Sequence, residues 1–245
     1  GVPVITVNPI KEAGLVRFAN PQSPVEMLTP AATEMSSQYL QIRVGGDAAV
    51  AMGMAKWMIE ADDEARRTGG ARVVDAAFIL AHTAGFEEFA QIARDMQWSD
   101  IEEMSGVSRE EIVHAARIYA SAPAAMILYG MGITQHREGV RNIHMLTNLL
   151  LLRGNIGRPG AGICPIRGHS NVQGQRTVGI TEKPELVPRD RLRHQFGFTP
   201  PAEKGMSTVE ASEAMLRNEV EAFCMLGGNF VRAIPDHSRM EPAWQ

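Results

Sequence analysis

The sequence predicts an α/β fold with parallel strand pairing, and three observations carry that expectation. Short apolar runs alternate with longer segments of helical periodicity. The apolar runs end in short polar or glycine turns: Asn8-Pro9, Gly45-Gly46-Asp47, Gly130-Met131-Gly132 and Gly227-Gly228-Asn229. The stretch 130–174 places a helical segment between two glycine-rich loops, with polar side chains at the loop ends. Glycine loops cost conformational entropy, so a chain keeps them where backbone must approach something closely.

Residues 2–7 read as a first, buried strand that ends at Asn8-Pro9. Residues 10–36 are mixed, and Pro21, Pro24 and Pro30 break regularity. A second strand is expected over 39–44. Gly45-Gly46-Asp47 follows, with Asp47 as cap of a helix over 48–59 whose apolar face uses Val50, Met54, Trp57 and Met58. Residues 62–70 read as a charged break. Helices are expected over 73–81, 86–95 and 108–120, the last opened by the capping-box pair Ser108 and Glu111. Residues 125–129 form a third strand that runs into Gly130-Met131-Gly132. The next helix covers 140–152 and is stopped by Gly154; residues 153–206 read as irregular. Ser207 and Glu210 open a further helix to about residue 218. Residues 222–226 read as a fourth strand before Gly227-Gly228-Asn229.

Composition narrows the class. Hydrophobic content of 44% and charged content of 21% are ordinary for a globular protein. A net charge of −4 without a long basic run argues against nucleic acid and anionic membranes as partners. The apolar run 149–152 is far too short to span a bilayer. Two cysteines, Cys164 and Cys224, support neither a disulfide framework nor a cysteine-rich metal site; they are expected as buried small hydrophobes in a reducing, cytoplasmic setting. The chain opens on a core strand and stops near a helix end, so a piece of a longer protein is expected.

In open α/β sheets ligands bind beyond the carboxyl ends of strands, where backbone N–H groups and helix N-termini hold phosphates. The four turns therefore point to a large phosphate-bearing cofactor. Gly130-Met131-Gly132 lacks the third glycine of a dinucleotide fingerprint, which weakens a simple NAD reading; alone it could be a tight turn. Thr134-Gln135-His136 adds three consecutive hydrogen-bonding side chains. Asp47 is either a cap or an acceptor for a guanine edge. Arg167 lies in a polar loop without an acidic neighbour in sequence, so it is a surface cation, a distant ion pair, or a clamp for a small oxyanion. His169 is a structural histidine or a proton carrier near neutral pH. His136, His144 and His169 lack zinc-site spacing, and no metal ligand is assigned.

Two runs resemble a known family. Gly130-Met131-Gly132-Ile133-Thr134-Gln135, followed by Leu149-Leu150-Leu151-Leu152-Arg153-Gly154-Asn155-Ile156-Gly157-Arg158-Pro159-Gly160, is one; Pro165-Ile166-Arg167-Gly168-His169-Ser170-Asn171-Val172-Gln173-Gly174 is the other. On them the chain resembles an interior segment of the molybdopterin oxidoreductases, in particular formate dehydrogenase-like alpha subunits. The resemblance covers nearly the whole chain and implies the α/β, Rossmann-like parallel-sheet units of the formate dehydrogenase/DMSO reductase type. It implies a pair of molybdopterin guanine dinucleotides (bis-MGD) on molybdenum or tungsten. Asn8, Pro9, Gly46 and Asp47 would lie at a nucleotide end. Gly130, Met131, Gly132, Gln135, His136, Gly168, Gly227, Gly228 and Asn229 would line the cofactor. Arg167 would match the arginine that orients formate or a similar small anion. His169 stands where the formate enzymes carry glutamine, which leaves the substrate open. Any iron–sulfur cluster and the metal's protein ligand would lie outside these residues, and an electron-transfer partner is expected.

The resemblance also divides the chain into a cofactor-binding unit, 1–167, and part of a second α/β unit, 168–245. The leading expectation is therefore a fragment of a two-electron oxidoreductase, inactive alone. The alternative is a non-catalytic assembly domain or another nucleotide-binding α/β domain.

Overall fold

Helical segments with an apolar stripe dominate the computed structural model, which describes residues 2–169 and 171–244; Gly1, Gln245 and Ser170 of the quoted loop lie outside the described residues. The chain divides into two units, Gly1–Gly168 and His169–Gln245.

The first unit opens with β1 (Ile5–Val7), α1 (Ala13–Val16), β2 (Arg17–Phe18), α2 (Pro24–Leu28), β3 (Thr33–Glu34) and β4 (Gln38–Leu40). Then come α3 (Asp47–Thr68), α4 (Ala76–His82), α5 (Phe86–Asp95), α6 (Trp98–Ser105), α7 (Arg109–Ser121), β5 (Met126–Tyr129), α8 (Gly139–Leu152) and β6 (Gly162–Pro165). β1 pairs with β4 and β5 with β6, both in parallel, while β2 and β3 form a small antiparallel ribbon inside the segment expected to be irregular.

α3 is the axis of the core and touches α5, α6, α7 and α8. Ala55 and Met58 are fully buried on it, against Ile101, Ile112, Ala115 and Ala116. A Cβ on Gly53 would stand 2.9 Å from Ile112 and 3.0 Å from Ile101, so glycine here permits close helix packing.

The expected charged break at 62–70 is helix through Thr68. Its two aspartates are paired, while Glu64, Arg66 and Arg67 stay on the solvated face. Asp62 is 4% exposed and accepts hydrogen bonds from Arg72 Nε and Nη2 at 2.8 and 2.7 Å, and from the Val73 N–H at 2.8 Å. Asp63 pairs with Arg94 at 2.7 Å. Gly69, at φ 72°, ends the helix.

Other expectations shift in ways local chemistry explains. Strand pairing covers only Ile5–Val7 and Gln38–Leu40, shorter than 2–7 and 39–44, because beyond Leu40 the chain turns to bury Ile42 and bond the Gly46 N–H to the Arg43 carbonyl. α4 starts at Ala76, where Asp75 accepts from the Phe78 N–H at 3.0 Å. α5 has the expected bounds, and α7 carries the full Ser108–Glu111 capping box. α6 and β6 were not expected.

The second unit contains α9 (Val172–Thr177), α10 (Arg189–Phe196), α11 (Thr208–Leu216), α12 (Phe230–Ala233) and α13 (His237–Met240). Ser207 and Glu210 cap α11 reciprocally. The expected fourth strand at 222–226 is not formed: among the described residues no strand pairs with it, and Leu226 is fully exposed. Cys224 is exposed and Cys164 only partly buried, against the expectation of burial. Among the described residues no helix is long and apolar enough to cross a membrane.

Candidate functional site

Parallel pairing puts the carboxyl ends of paired strands side by side, and both parallel pairs of the first unit do this with residues singled out above. At β1/β4, Val7 pairs with Leu40, and the Asn8 N–H donates to the Leu40 carbonyl at 3.1 Å. Asn8 Nδ2 donates to Ile10 O at 2.6 Å and to Glu12 Oε2 at 3.1 Å, while Pro9 O accepts from Gln41 Nε2 at 3.0 Å. The chain leaving β4 reaches Gly46-Asp47 within a few residues. At β5/β6, Tyr129 pairs with Pro165, and the Ile166 N–H donates to the Tyr129 carbonyl at 2.7 Å. Gly130-Met131-Gly132 and Ile166-Arg167-Gly168 therefore emerge next to one another.

Asp47 is not the cap of α3. It is the first helical residue, after an N-cap of Gly46 that makes no side-chain cap bond. A Cβ on Gly46 would lie 2.9 Å from Ser105 Cα and 3.0 Å from Met104 O, so the α6 backbone fills the space a cap side chain would need. The Asp47 carboxylate is thus released from capping. Burial pushes its carboxyl up, while its own backbone N–H and the nearby His136 pull it back only in part. Asp47, which follows the β1/β4 pair, is thus near enough to His136, which follows β5, to feel its charge.

The turn after β5 is a short 3₁₀ segment, Met131–Ile133. Thr134 and Gln135 are exposed and His136 is partly buried, so the first two side chains are free of the cost of unpaired burial. Gly130, Gly132 and Gly168 have φ outside the left-handed region and nothing within 4 Å of an added Cβ. Neither backbone conformation nor protein packing demands glycine there; the open space beside these turns can admit a ligand up to the backbone. Gly139 is different, because its Cβ would collide with the Thr134 carbonyl. Beside it lies a cavity of about 230 Å³ lined by Thr134, Gly139, Val140, Ile143 and His144.

Arg167 is exposed, and among the described residues it has no carboxylate partner. Its fixed charge is available to an anion. His169 is exposed and begins the second unit. Gly227-Gly228-Asn229, also in the second unit, does not follow a strand; Asn229 instead caps the short α12, accepting from the Arg232 N–H at 3.2 Å. Among the described residues no group of three or more His, Cys, Asp or Glu could hold a metal ion.

Sequence reasoning missed Asn142. It is 1% exposed, and its Nδ2 lies 2.9 Å from His136 Nε2. The signal was present: Asn142 falls on the helical stripe that continues through Leu149 and Leu152, both buried, and a polar residue there breaks the apolar pattern.

Residues 4–245 match the family model for molybdopterin oxidoreductases. The chain is 48% identical over 236 residues to protein YdeP of Escherichia coli (strain K12), covering 96% of this chain and 31% of that protein. It is 35% identical over 182 residues to formate dehydrogenase H of the same organism, covering 70% of this chain and 25% of that one. Among solved structures it is similar to acetylene hydratase from Pelobacter acetylenicus, with a TM-score of 0.52 and 16% identity over 89% of this chain and 29% of that one. The chain therefore spans about a third of the length of YdeP or less than that of the others.

Proposed function

We propose, from the premise that the chain belongs to the molybdopterin oxidoreductase family, that it forms part of the cofactor cradle of a formate dehydrogenase-like oxidoreductase acting on a small anion. The family implies a molybdopterin cofactor with molybdenum or tungsten, and we assign it the bis-MGD form.

The residues fit such a group. The carrying observation is the Tyr129–Pro165 register, which sets the open Gly130–Gly132 turn beside Arg167 and Gly168. Backbone at Gly130, Gly132 and Gly168 would admit the pterin dinucleotide closely, with Met131 and Gln135 on the same turn. Asp47, relieved of capping, would accept from the donor edge of guanine, with Asn8, Pro9 and Gly46 framing that end and His136 beside it. When bound, the metal–pterin group supplies two-electron redox chemistry.

Arg167 would hold the substrate by a two-pronged contact to its carboxylate, which fixes orientation as well as charge. His169 would take or give a proton near neutral pH, a task that an amide at this position could not perform. Within the second unit, taken by itself, Gly227, Gly228 and Asn229 would be its own contribution to cofactor binding. The assignment of 1–167 and 168–245 to two Rossmann-like units, a cytoplasmic location and a separate electron-transfer partner belong to the same proposal. Relatedness to formate dehydrogenase H makes formate the first substrate to try.

Metal analysis and oxidised-pterin fluorescence of the full-length protein test the reading. Molybdenum or tungsten together with pterin is the expected result. A folded protein without either, from a host able to build the cofactor, overturns the reading and leaves a non-catalytic assembly or nucleotide-binding role.

A further inference from the structure

A buried amide stands behind the His136 ring. Asn142 belongs to the first turn of α8, is 1% exposed, and leaves its Oδ1 without a hydrogen-bond partner. Its Nδ2 lies 2.9 Å from His136 Nε2 and 3.4 Å from the Ile133 carbonyl oxygen. A carbonyl can only accept, so the face of the amide turned to Ile133 is the NH₂ group, and its two hydrogens serve the carbonyl and the imidazole. Nε2 is then the acceptor, and the ring proton resides on Nδ1.

We propose that Asn142 is a positioning residue that fixes this tautomer, leaving Nδ1–H of His136 as the donor offered to an acceptor oxygen of the ligand at the Asp47 end of the site. The orphaned Oδ1 supports this assignment. A residue kept only to fill the α8 stripe would be apolar, like Leu149 and Leu152 beyond it, and would leave no buried acceptor unpaired. The amide is retained at that cost because no apolar side chain can dictate which ring nitrogen carries the proton. The nature of the ligand rests on the cofactor reading above; the tautomer does not.

The test uses full-length protein with ¹⁵N-labelled histidine, prepared without cofactor, and solid-state NMR, with the His136 signals assigned by their loss in His136→Gln. The expected signature is a protonated Nδ1. Asn142→Asp, which can only accept, moves the proton to Nε2, and Asn142→Leu, which retains volume but no polar group, abolishes the preference. In cofactor-producing cells, pterin retained per folded protein falls about tenfold in both variants, the loss of roughly one good hydrogen bond to a ligand. It changes no further when either is combined with His136→Ala. Protonated Nε2 in the wild type, or an Asn142 effect on retention that persists in the His136→Ala background, overturns the proposal. A wild-type protein without pterin sinks the cofactor reading instead, while the NMR result still decides the tautomer.

Discussion

Glycines in this chain divide by what surrounds them. A Cβ on Gly46 or Gly139 meets backbone, and a Cβ on Gly130 or Gly132 meets nothing. Gly46→Ala and Gly139→Ala should therefore destabilise the fold by about 1–3 kcal/mol through overpacking, read as a lower thermal midpoint. Gly130→Ala and Gly132→Ala should leave that midpoint unchanged and cut retained pterin; unchanged retention would remove these turns from the cofactor site. Arg167 yields a complementary prediction. Arg167→Lys keeps the charge and loses the fork, so KM for formate or a similar carboxylate should rise by about tenfold or more, for the loss of roughly one charge-assisted hydrogen bond, with pterin content and stability unaffected. Arg167 stands out in sequence because its loop holds no acidic neighbour, and the structure agrees only in leaving it without a carboxylate partner among the described residues. Asp47 was half legible: its place at a helix start was read, but not that Gly46 takes the cap position. Asn142 stayed hidden because its meaning depends on His136, six residues away and outside the helix.

Among the elements, α3 shows why charge runs mislead. Its last two turns are rich in Asp, Glu and Arg, yet Asp62 ties the helix to the segment after it through Arg72, Val73 and Val74. Burial pushes the Asp62 carboxyl up, but the Arg72 hydrogen bonds and the Val74 and Val73 N–H groups outweigh it and hold it below the usual carboxylate value. A depressed folded value means that the ionised form stabilises the fold. The contribution is fully present above the unfolded value and is lost as pH falls through the folded one. Asp62→Ala should cost about 2–4 kcal/mol, because it strands two backbone donors and unpairs Arg72. Asp62→Asn should flatten the acid limb of the stability profile below about pH 4, measured as the urea midpoint against pH; a limb as steep as in the wild type would shift the burden to other carboxylates. At the end of α7, Tyr119 donates to Leu149 O at 2.8 Å and accepts from Asn155 Nδ2 at 3.0 Å, and burial pushes its hydroxyl up to about 12. Here the neutral form is the stabilising one, so stability should decline as pH rises from about 10 toward 12, and Tyr119→Phe should remove that decline. Amphipathic helices such as α5 were legible end to end because their burial pattern is local. β6 was not, since Gly162-Ile163-Cys164-Pro165 becomes a strand only by pairing with β5, more than thirty residues earlier.

At the scale of the whole molecule, the segment 222–226 is where sequence and structure part most clearly. Ala222-Phe223-Cys224-Met225-Leu226 has the unbroken apolar character of a strand covered on both faces. Within the described residues it pairs with no strand; Leu226 is fully exposed, Met225 is 47% exposed, and Phe223 packs on Phe230 at 5.0 Å between ring centroids. Strand formation is a pairing event, so a run can carry the right composition and remain unpaired where no neighbouring strand is at hand. The chain spans 31% of the length of YdeP, which leaves ample sequence in such relatives to supply that neighbour. In full-length protein the amides of 222–226 should exchange slowly with solvent, whereas in the 245-residue chain they should exchange at nearly unprotected rates. The unpaired apolar run should also drive the shorter chain to self-associate, and Leu226→Lys should suppress this by placing a charge on the exposed edge. Fast exchange in both forms would mean that the segment is a loop in its own right, and the second unit would then have to build its sheet without it.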